Sequence, residues 1–441
     1  MALAFKKFSF TTNNGTPPFD QAVTGVGLGA AAQAFIFFWS DQTAEGTAAN
    51  AVLGVGLATG SANEGAVSFH ISDNLTTTVA RHGYHDDRCI AYTFINGGAP
   101  TFSAEFKSID GTDGNFTVTW QNNPGAGRII HGIAIGGSDV TNAVVTHINL
   151  NATAGSPQSY AHGLGATPDF AFMVTANDTA PGALGEAHAT LAVGWAVQGT
   201  ASTRKCGSVS INASDAETME ASQDQMRVLA SDRPLICLSN SAATVDIELD
   251  YPSTGDLFDG TNVNFNQVNA PTLNTDLLCL FLAGGNYDAG SFGARTTTGD
   301  DNFTVAFTPR GVMLMMAQGI ADGTAHTATA DANMSFGAFS STDGTQEGSV
   351  SVSSTDAIEP TQADQRTLTT KCLTSLIDGA PGSVDGEADG TALGTTSTIN
   401  WTDAPATADI ILWAAMGDEG AAPPLNVMQD VIGIGIVPWG R

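Results

Sequence analysis

Gly65-Ala66-Val67-Ser68-Phe69, with Asp73 beyond it, returns as Gly207-Ser208-Val209-Ser210-Ile211 with Asp215 and as Gly348-Ser349-Val350-Ser351-Val352 with Asp356. Each aspartate follows at one fixed distance, so the three segments read as copies of one unit. Working upstream, Leu53-Gly54-Val55-Gly56-Leu57 is matched by Leu191-Ala192-Val193-Gly194-Trp195 and Met334-Ser335-Phe336-Gly337-Ala338. Further upstream, Gly27-Leu28-Gly29 with Phe35-Ile36-Phe37-Phe38 returns as Gly163-Leu164-Gly165 with Phe170-Ala171-Phe172-Met173-Val174, then more loosely as Val312-Met313-Leu314-Met315-Met316. Downstream, each unit closes on an apolar run ending in glycine: Ile129 to Gly136, Leu277 to Gly284 and Ile410 to Gly417. An aromatic residue precedes each closing run, at Trp120, Phe265 or Trp401.

Four markers in one order over 441 residues divide the chain into three related units of about 147 residues, too long for solenoid repeats and long enough for complete domains. The expected boundaries are residues 1–143, 144–288 and 289–441. Polar, glycine-bearing passages at Asn149 to Ser156 and Ala289 to Gly293 mark the junctions. Such short junctions predict domains lying close together.

Local patterning is that of strands. Phe116-Thr117-Val118-Thr119-Trp120, Val245-Asp246-Ile247-Glu248-Leu249 and Val263-Asn264-Phe265 alternate in character, and Asp110-Gly111, Asp113-Gly114, Asp259-Gly260 and Asp343-Gly344 supply turns between such runs. Ile432, Ile434 and Ile436 alternate with glycines near the end. The one helix of any length is expected from Asp215 to Leu229, on weak apolar spacing. Short strands divided by turn signals, with abundant Gly and Thr and little Glu or Lys, predict an all-β chain: three tandem homologous antiparallel β-sandwich or jelly-roll-like domains. Glycines inside the markers are expected at bulges or close backbone approaches.

Forty-four acidic residues against 15 basic give a formal charge of -29, which argues against nucleic acid and favours a basic partner. A hydrophobic fraction of 42% arranged as strands argues against disorder. The N-terminal segment lacks the apolar run of a secretory signal, and no stretch approaches the roughly 20 apolar residues of a membrane span. Cys89, Cys237 and Cys372 recur once per unit, whereas Cys206 and Cys279 have no counterparts. No repeated disulfide framework follows, and five free thiols are expected.

Chemical motifs are few. His82-Gly83-Tyr84-His85-Asp86-Asp87 gathers two imidazoles and two carboxylates, but no other unit repeats it, and a solvated polar loop is expected rather than a metal site. Asp110-Gly111-Thr112-Asp113-Gly114-Asn115 lacks the terminal Glu of a calcium loop and reads as a turn. No serine elbow, phosphate-binding loop, dinucleotide fingerprint or zinc-protease motif is present. Among so many acidic residues, no one carboxylate pair stands out as catalytic. Arg88, Arg227 and Arg366, at similar stages of the units, are expected in packing or in ion pairs between domains. No catalytic, cofactor-binding or metal-binding residue is assigned, and no enzyme activity or cofactor is expected.

Val23-Thr24-Gly25-Val26-Gly27-Leu28-Gly29 followed by Phe35 to Trp39, with its relative Gly163-Leu164-Gly165-Ala166-Thr167-Pro168, resembles strand-turn-strand sequence of β-sandwich virion structural proteins of tailed bacteriophages. The resemblance covers the opening third of the first two units and is fainter in the third. It implies a capsid decoration or stabilising protein, or a tail-associated one, with capsid or tail proteins as partners, residing in the virion after assembly in the host cytoplasm. Unlike a long trimeric fibre, the chain lacks heptads and short fibrous repeats. The competing expectation is a glycan- or receptor-binding module with Trp39, Trp195 or Trp401 as stacking platforms, although their strand settings favour burial. Neither nucleic acid nor membrane is an expected partner, and the oligomeric state is left open.

Overall fold

The computed structural model describes residues 3–93, 100–179, 183–215, 225–240, 242–341, 345–377 and 382–418. Among them there are 33 strands and no helix. The first set of strands is β1 (Leu3–Thr11), β2 (Phe19–Val23), β3 (Ala32–Trp39), β4 (Gly46–Ala49), β5 (Ala51–Gly60), β6 (Asn63–Ile71), β7 (Ala80–His85), β8 (Ile90–Tyr92), β9 (Phe102–Asp110), β10 (Asn115–Asn122) and β11 (Ile129–Gly137). The second is β12 (Asn142–Leu150), β13 (Gly155–Ala161), β14 (Phe170–Thr175), β15 (Ala183–Ala187), β16 (Ala189–Val197), β17 (Cys206–Ala213), β18 (Gln225–Ala230), β19 (Leu235–Leu238), β20 (Val245–Asp250), β21 (Asn262–Asn269) and β22 (Thr275–Ala283). The third is β23 (Asn286–Gly293), β24 (Gly299–Thr304), β25 (Pro309–Met316), β26 (Thr329–Ala330), β27 (Ala332–Phe339), β28 (Glu347–Ser354), β29 (Ala363–Leu368), β30 (Leu373–Leu376), β31 (Val384–Ala392), β32 (Thr396–Asp403) and β33 (Ile410–Gly417). Adding eleven to a strand's number gives its counterpart in the next set.

The fold is all-β, with six antiparallel sheets among the described residues. Each set supplies a four-stranded sheet, in the order β2-β10-β9-β8, β13-β21-β20-β19 or β24-β32-β31-β30. Each also supplies six of the seven strands of a larger sheet, in the order β1-β11-β3-β5-β6-β7, β12-β22-β14-β16-β17-β18 or β23-β33-β25-β27-β28-β29. The seventh strand always comes from a neighbouring set: β15 completes the first large sheet, β26 the second and β4 the third. The exchange is cyclic, so the three sets form a closed ring.

The long apolar runs follow from this layering. In β3, Ala34, Ile36 and Phe38 point into a core shared by all three sets, while Phe35, Phe37 and Trp39 point into a core between the large sheet and its own four-stranded sheet. Both faces of the strand are dry, so the usual alternation is lost. In β10 the inward Phe116, Val118 and Trp120 alternate with half-buried Thr117 and Thr119, because one face of the four-stranded sheet meets water. The common core takes Leu53, Val193 and Phe336 from equivalent strands of the three sets. Fully burying each such side chain contributes roughly 1.5–3 kcal/mol.

The second-marker glycines permit the close approach of chain to sheet. A Cβ on Gly56, Gly194 or Gly337 would collide with the carbonyl oxygen of Cys89, Pro234 or Cys372, respectively, each immediately ahead of β8, β19 or β30, the last strand of its four-stranded sheet. This corrects the expected cysteine equivalence: Cys89 and Cys372 match Pro234, whereas Cys237 lies inside β19. All five cysteines are buried and outside any disulfide.

Other expectations also change. The boundaries after residues 143 and 288 fall inside β12 and β23; the chain crosses between sets at residues 138–141 and 284–285. Asn149 to Ser156 runs from the end of β12 into β13, and Ala289 to Gly293 is part of β23. The helix expected from Asp215 to Leu229 is replaced at residues 225–229 by β18, whose backbone pairs with β17 and β26; residues 216–224 lie outside the described residues. Ile432, Ile434, Ile436 and the Asp343-Gly344 turn also lie outside them.

Candidate functional site: the junctions between strand sets

The recurring aspartates act where one set hands a strand to the next. Asp73, Asp215 and Asp356 accept hydrogen bonds from the backbone N–H of Ala363, Ala80 and Gln225 at 3.0, 3.0 and 3.2 Å. Each acceptor belongs to a different set from its donor and meets the first residue of β29, β7 or β18. The N–H groups of Asp73, Asp215 and Asp356 in turn donate to Asn50 Oδ1, His188 Nδ1 and Asp331 Oδ1 at 3.0, 2.9 and 2.7 Å. Asn50, His188 and Asp331 all have left-handed backbone, with φ of 68°, 65° and 70°. They sit between the exchanged strands β4, β15 and β26 and the following strands, so each turns the chain from its neighbour's sheet into its own. Carboxylate, hinge and donated strand form one latch, repeated three times.

The latches share a geometry, but the junctions differ in chemistry. Between the first and second sets, His82 Nδ1 lies 2.7 Å from the His188 carbonyl, Arg81 pairs with Asp215, and Tyr84 hydroxyl meets His147 Nδ1 at 2.7 Å. Between the second and third, Arg227 donates to the carbonyls of Ala330 and Asp331, and His326 meets Asp232 at 2.6 Å. Between the third and first, β4 pairs with β29, Arg366 donates to Thr47 Oγ1, and Gln365 Oε1 accepts from the Asp41 N–H.

This last junction also encloses a titratable group. Lys7, 2% exposed, donates from Nζ to the Glu347 carbonyl at 3.1 Å and from its backbone N–H to Ser340 Oγ at 2.9 Å. His131 Nε2 lies 2.7 Å from Thr367 Oγ1, and its ring stacks on Phe38. Glu347 Oε2 accepts from the Gly390 N–H at 2.8 Å. Burial pulls the Lys7 ammonium down to about 7, opposed by Glu347 and Glu45. Burial pushes the Glu347 carboxyl up to about 7. Burial, then Lys7, holds His131 well below the usual histidine range. Strand register places Lys7 opposite Ile133, where the other sets have Val145 opposite Leu280 and Ala289 opposite Ala414. One of three equivalent core positions thus carries a titratable amine. The sequence carried a signal for it: consecutive lysines in Leu3-Ala4-Phe5-Lys6-Lys7-Phe8 oblige one of them to face inward if the segment is a strand.

The sequence-derived candidates scatter. His82 lies on β7 between the His188 carbonyl and Asp178, while His85 is buried near Thr93 and held down to about 4 by burial. Asp86 and Asp87 are exposed, and Asp87 pairs with Arg88. Among the described residues no group of three or more His, Cys, Asp or Glu side chains is arranged to hold a metal. Asp110 to Asn115 forms the β9–β10 turn, and its Asp113 clasps the first-marker loop by accepting from the Leu28 and Gly29 N–H groups. Arg88, Arg227 and Arg366 are not equivalent: Ser68, Ser210 and Ser351 stand opposite Gly83, Val228 and Arg366, so Arg227 matches His82 and Gln365. Arg88 pairs with Asp87 and Glu105 in its own set. Arg227 and Arg366 do bridge sets. Trp39, Trp195 and Trp401 are all buried, which removes them as stacking platforms.

The hinge residues were not legible in advance, since Asn50, His188 and Asp331 share a backbone conformation and no side-chain type. Compared with known proteins, the chain matches no family model and no curated protein.

Proposed function

We propose that this chain is a non-enzymatic virion structural protein of the tailed-bacteriophage kind, a capsid decoration or stabilising protein that carries its own threefold arrangement in one chain. The architecture is read as three tandem β-sandwich domains rather than jelly rolls, because β5, β6 and β7, like β10, β9 and β8, are antiparallel neighbours. The observation that carries the functional reading is the cyclic donation of β4, β15 and β26. A closed ring of three like sets offers a partner three like faces without the entropic cost of gathering three subunits. The charge of -29 favours a basic site on a preformed assembly and speeds encounter with it. The resemblance of the first-marker segments to phage sandwich proteins supplies the class of assembly, with capsid or tail proteins as partners in the virion.

The test is to mix the purified chain with candidate capsids and with tails and to image both. Ordered density at repeated capsid positions is the expected outcome. Binding to tails alone would move the role there. A glycan interaction without association to either assembly would overturn the structural reading.

A further inference from the structure

The ring is covalently continuous at two junctions and discontinuous at the third. Residues 138–141 join the first set to the second and residues 284–285 join the second to the third, whereas the third meets the first through non-covalent contacts. The sequence separations make the same distinction. His82 reaches the His188 carbonyl across 106 residues and Arg227 reaches the Ala330 carbonyl across 103, but Arg366 reaches Thr47 across 319. During folding, β4 and Asp73 have no seat until β29 exists. The closing junction also buries Lys7, at the position that Val145 and Ala289 take in the other sets. It therefore combines the longest closure with the burial of an amine where the other sets place an apolar side chain.

We propose that the closing junction is where the ring opens, and that the donated segment Gly46–Ala49, with the Asp73 latch, can seat on β29 of a second copy of the chain. The proposal does not depend on the proposed function. All contacts of the exchanged form already exist within one chain: Ala49, Ala48, Thr47 and Gly46 opposite Asp364, Gln365, Arg366 and Thr367, and Asp73 on the Ala363 N–H. The exchange creates no new surface, and the difference between the two forms is concentration. Two copies that each seat their segment on the other close as a dimer; continued one-way donation gives open chains. Closure within one chain competes at an effective concentration on the order of millimolar, so separate chains compete mainly when unfolded protein refolds at high concentration. Asn50, with its left-handed backbone, separates the donated segment from β5.

The experiment refolds the full chain from denaturant at about 5 µM and about 500 µM and measures mass by light scattering. Monomer at the low concentration and a dimer fraction of about a tenth or more at the high one are expected, given that effective concentration. The location is tested by co-refolding chains carrying Ala48→Cys with chains carrying Gln365→Cys and oxidising, with wild-type chains as the control for native thiols. A crosslink between copies should form at high concentration. The same pairing of His82→Cys with Glu186→Cys, opposite each other at the first junction, should give at most a tenth as much. Wild-type chains that stay monomeric at both concentrations would overturn the proposal, as would oligomers without the 48–365 crosslink or equal crosslinking at both junctions.

Discussion

Lys7 shows how one residue departs from an otherwise apolar solution. Its ordinary pKa of 10.5 falls to about 7 on folding, so the unfolded chain holds the extra proton between those values. Stability therefore rises with pH across that interval, and the burial penalty is whole below about pH 7 and gone above about 10.5. The groups facing it are His131 from β11, Glu347 from β28 and Glu45 from the segment before β4. Lys7→Met should raise stability by about 2–4 kcal/mol at pH 6 and by almost nothing above pH 10.5. Urea midpoints at the two pH values check this; an equal gain at both would assign the effect to packing instead. Gly194 makes the opposite case, since the Pro234 carbonyl occupies the space of a side chain. Gly194→Ala should cost about 3 kcal/mol or more by forcing the start of β19 away from β16 of the facing large sheet, read as a fall in thermal midpoint. A neutral outcome would mean that the approach is looser than the geometry requires.

Among the elements, the latches decide which strand sits at which edge. Asp215 holds the Ala80 N–H and pairs with Arg81 at the start of β7. Asp215→Ala should destabilise by about 1–3 kcal/mol, with loss of hydrogen-exchange protection concentrated in β7 and β15. Asp215→Asn, which keeps an acceptor and loses the charge, should lose less. Uniform deprotection across the first set, or none, would show that the carboxylate is not what seats the strand. The recurrence of Asp73, Asp215 and Asp356 was plain from their fixed distance to the third marker. Their role was not, because a carboxylate that caps a backbone amide 290 residues away leaves no local pattern.

For the whole molecule, the shared core couples the three sets. Phe38, Phe172 and Phe336 come from different sets, and both Phe38 and Phe172 pack edge-on against Phe336. Calorimetry should show one unfolding transition whose calorimetric and van't Hoff enthalpies agree. Three separable transitions would mean that the cores between the large and four-stranded sheets hold without the common one.

Short strands, turns at Asp110-Gly111 and Asp113-Gly114, a threefold repeat and free thiols were legible in the amino-acid order because each follows from local pattern: period two, turn chemistry and residue counts. Identity of strands within sheets was legible where one face is wet, as at Phe116 to Trp120. It was obscured at Phe35 to Trp39, where both faces are dry and alternation vanishes. Tertiary structure alone determined that β4 leaves its own set, that β15 and β26 do likewise, and that residues 225–229 are strand. An edge strand is recruited through N–H and C=O groups that nearly every residue carries, so local pattern does not name its host; packing around a common core brings the neighbouring set close, and the Asp73, Asp215 and Asp356 latches seat its strand.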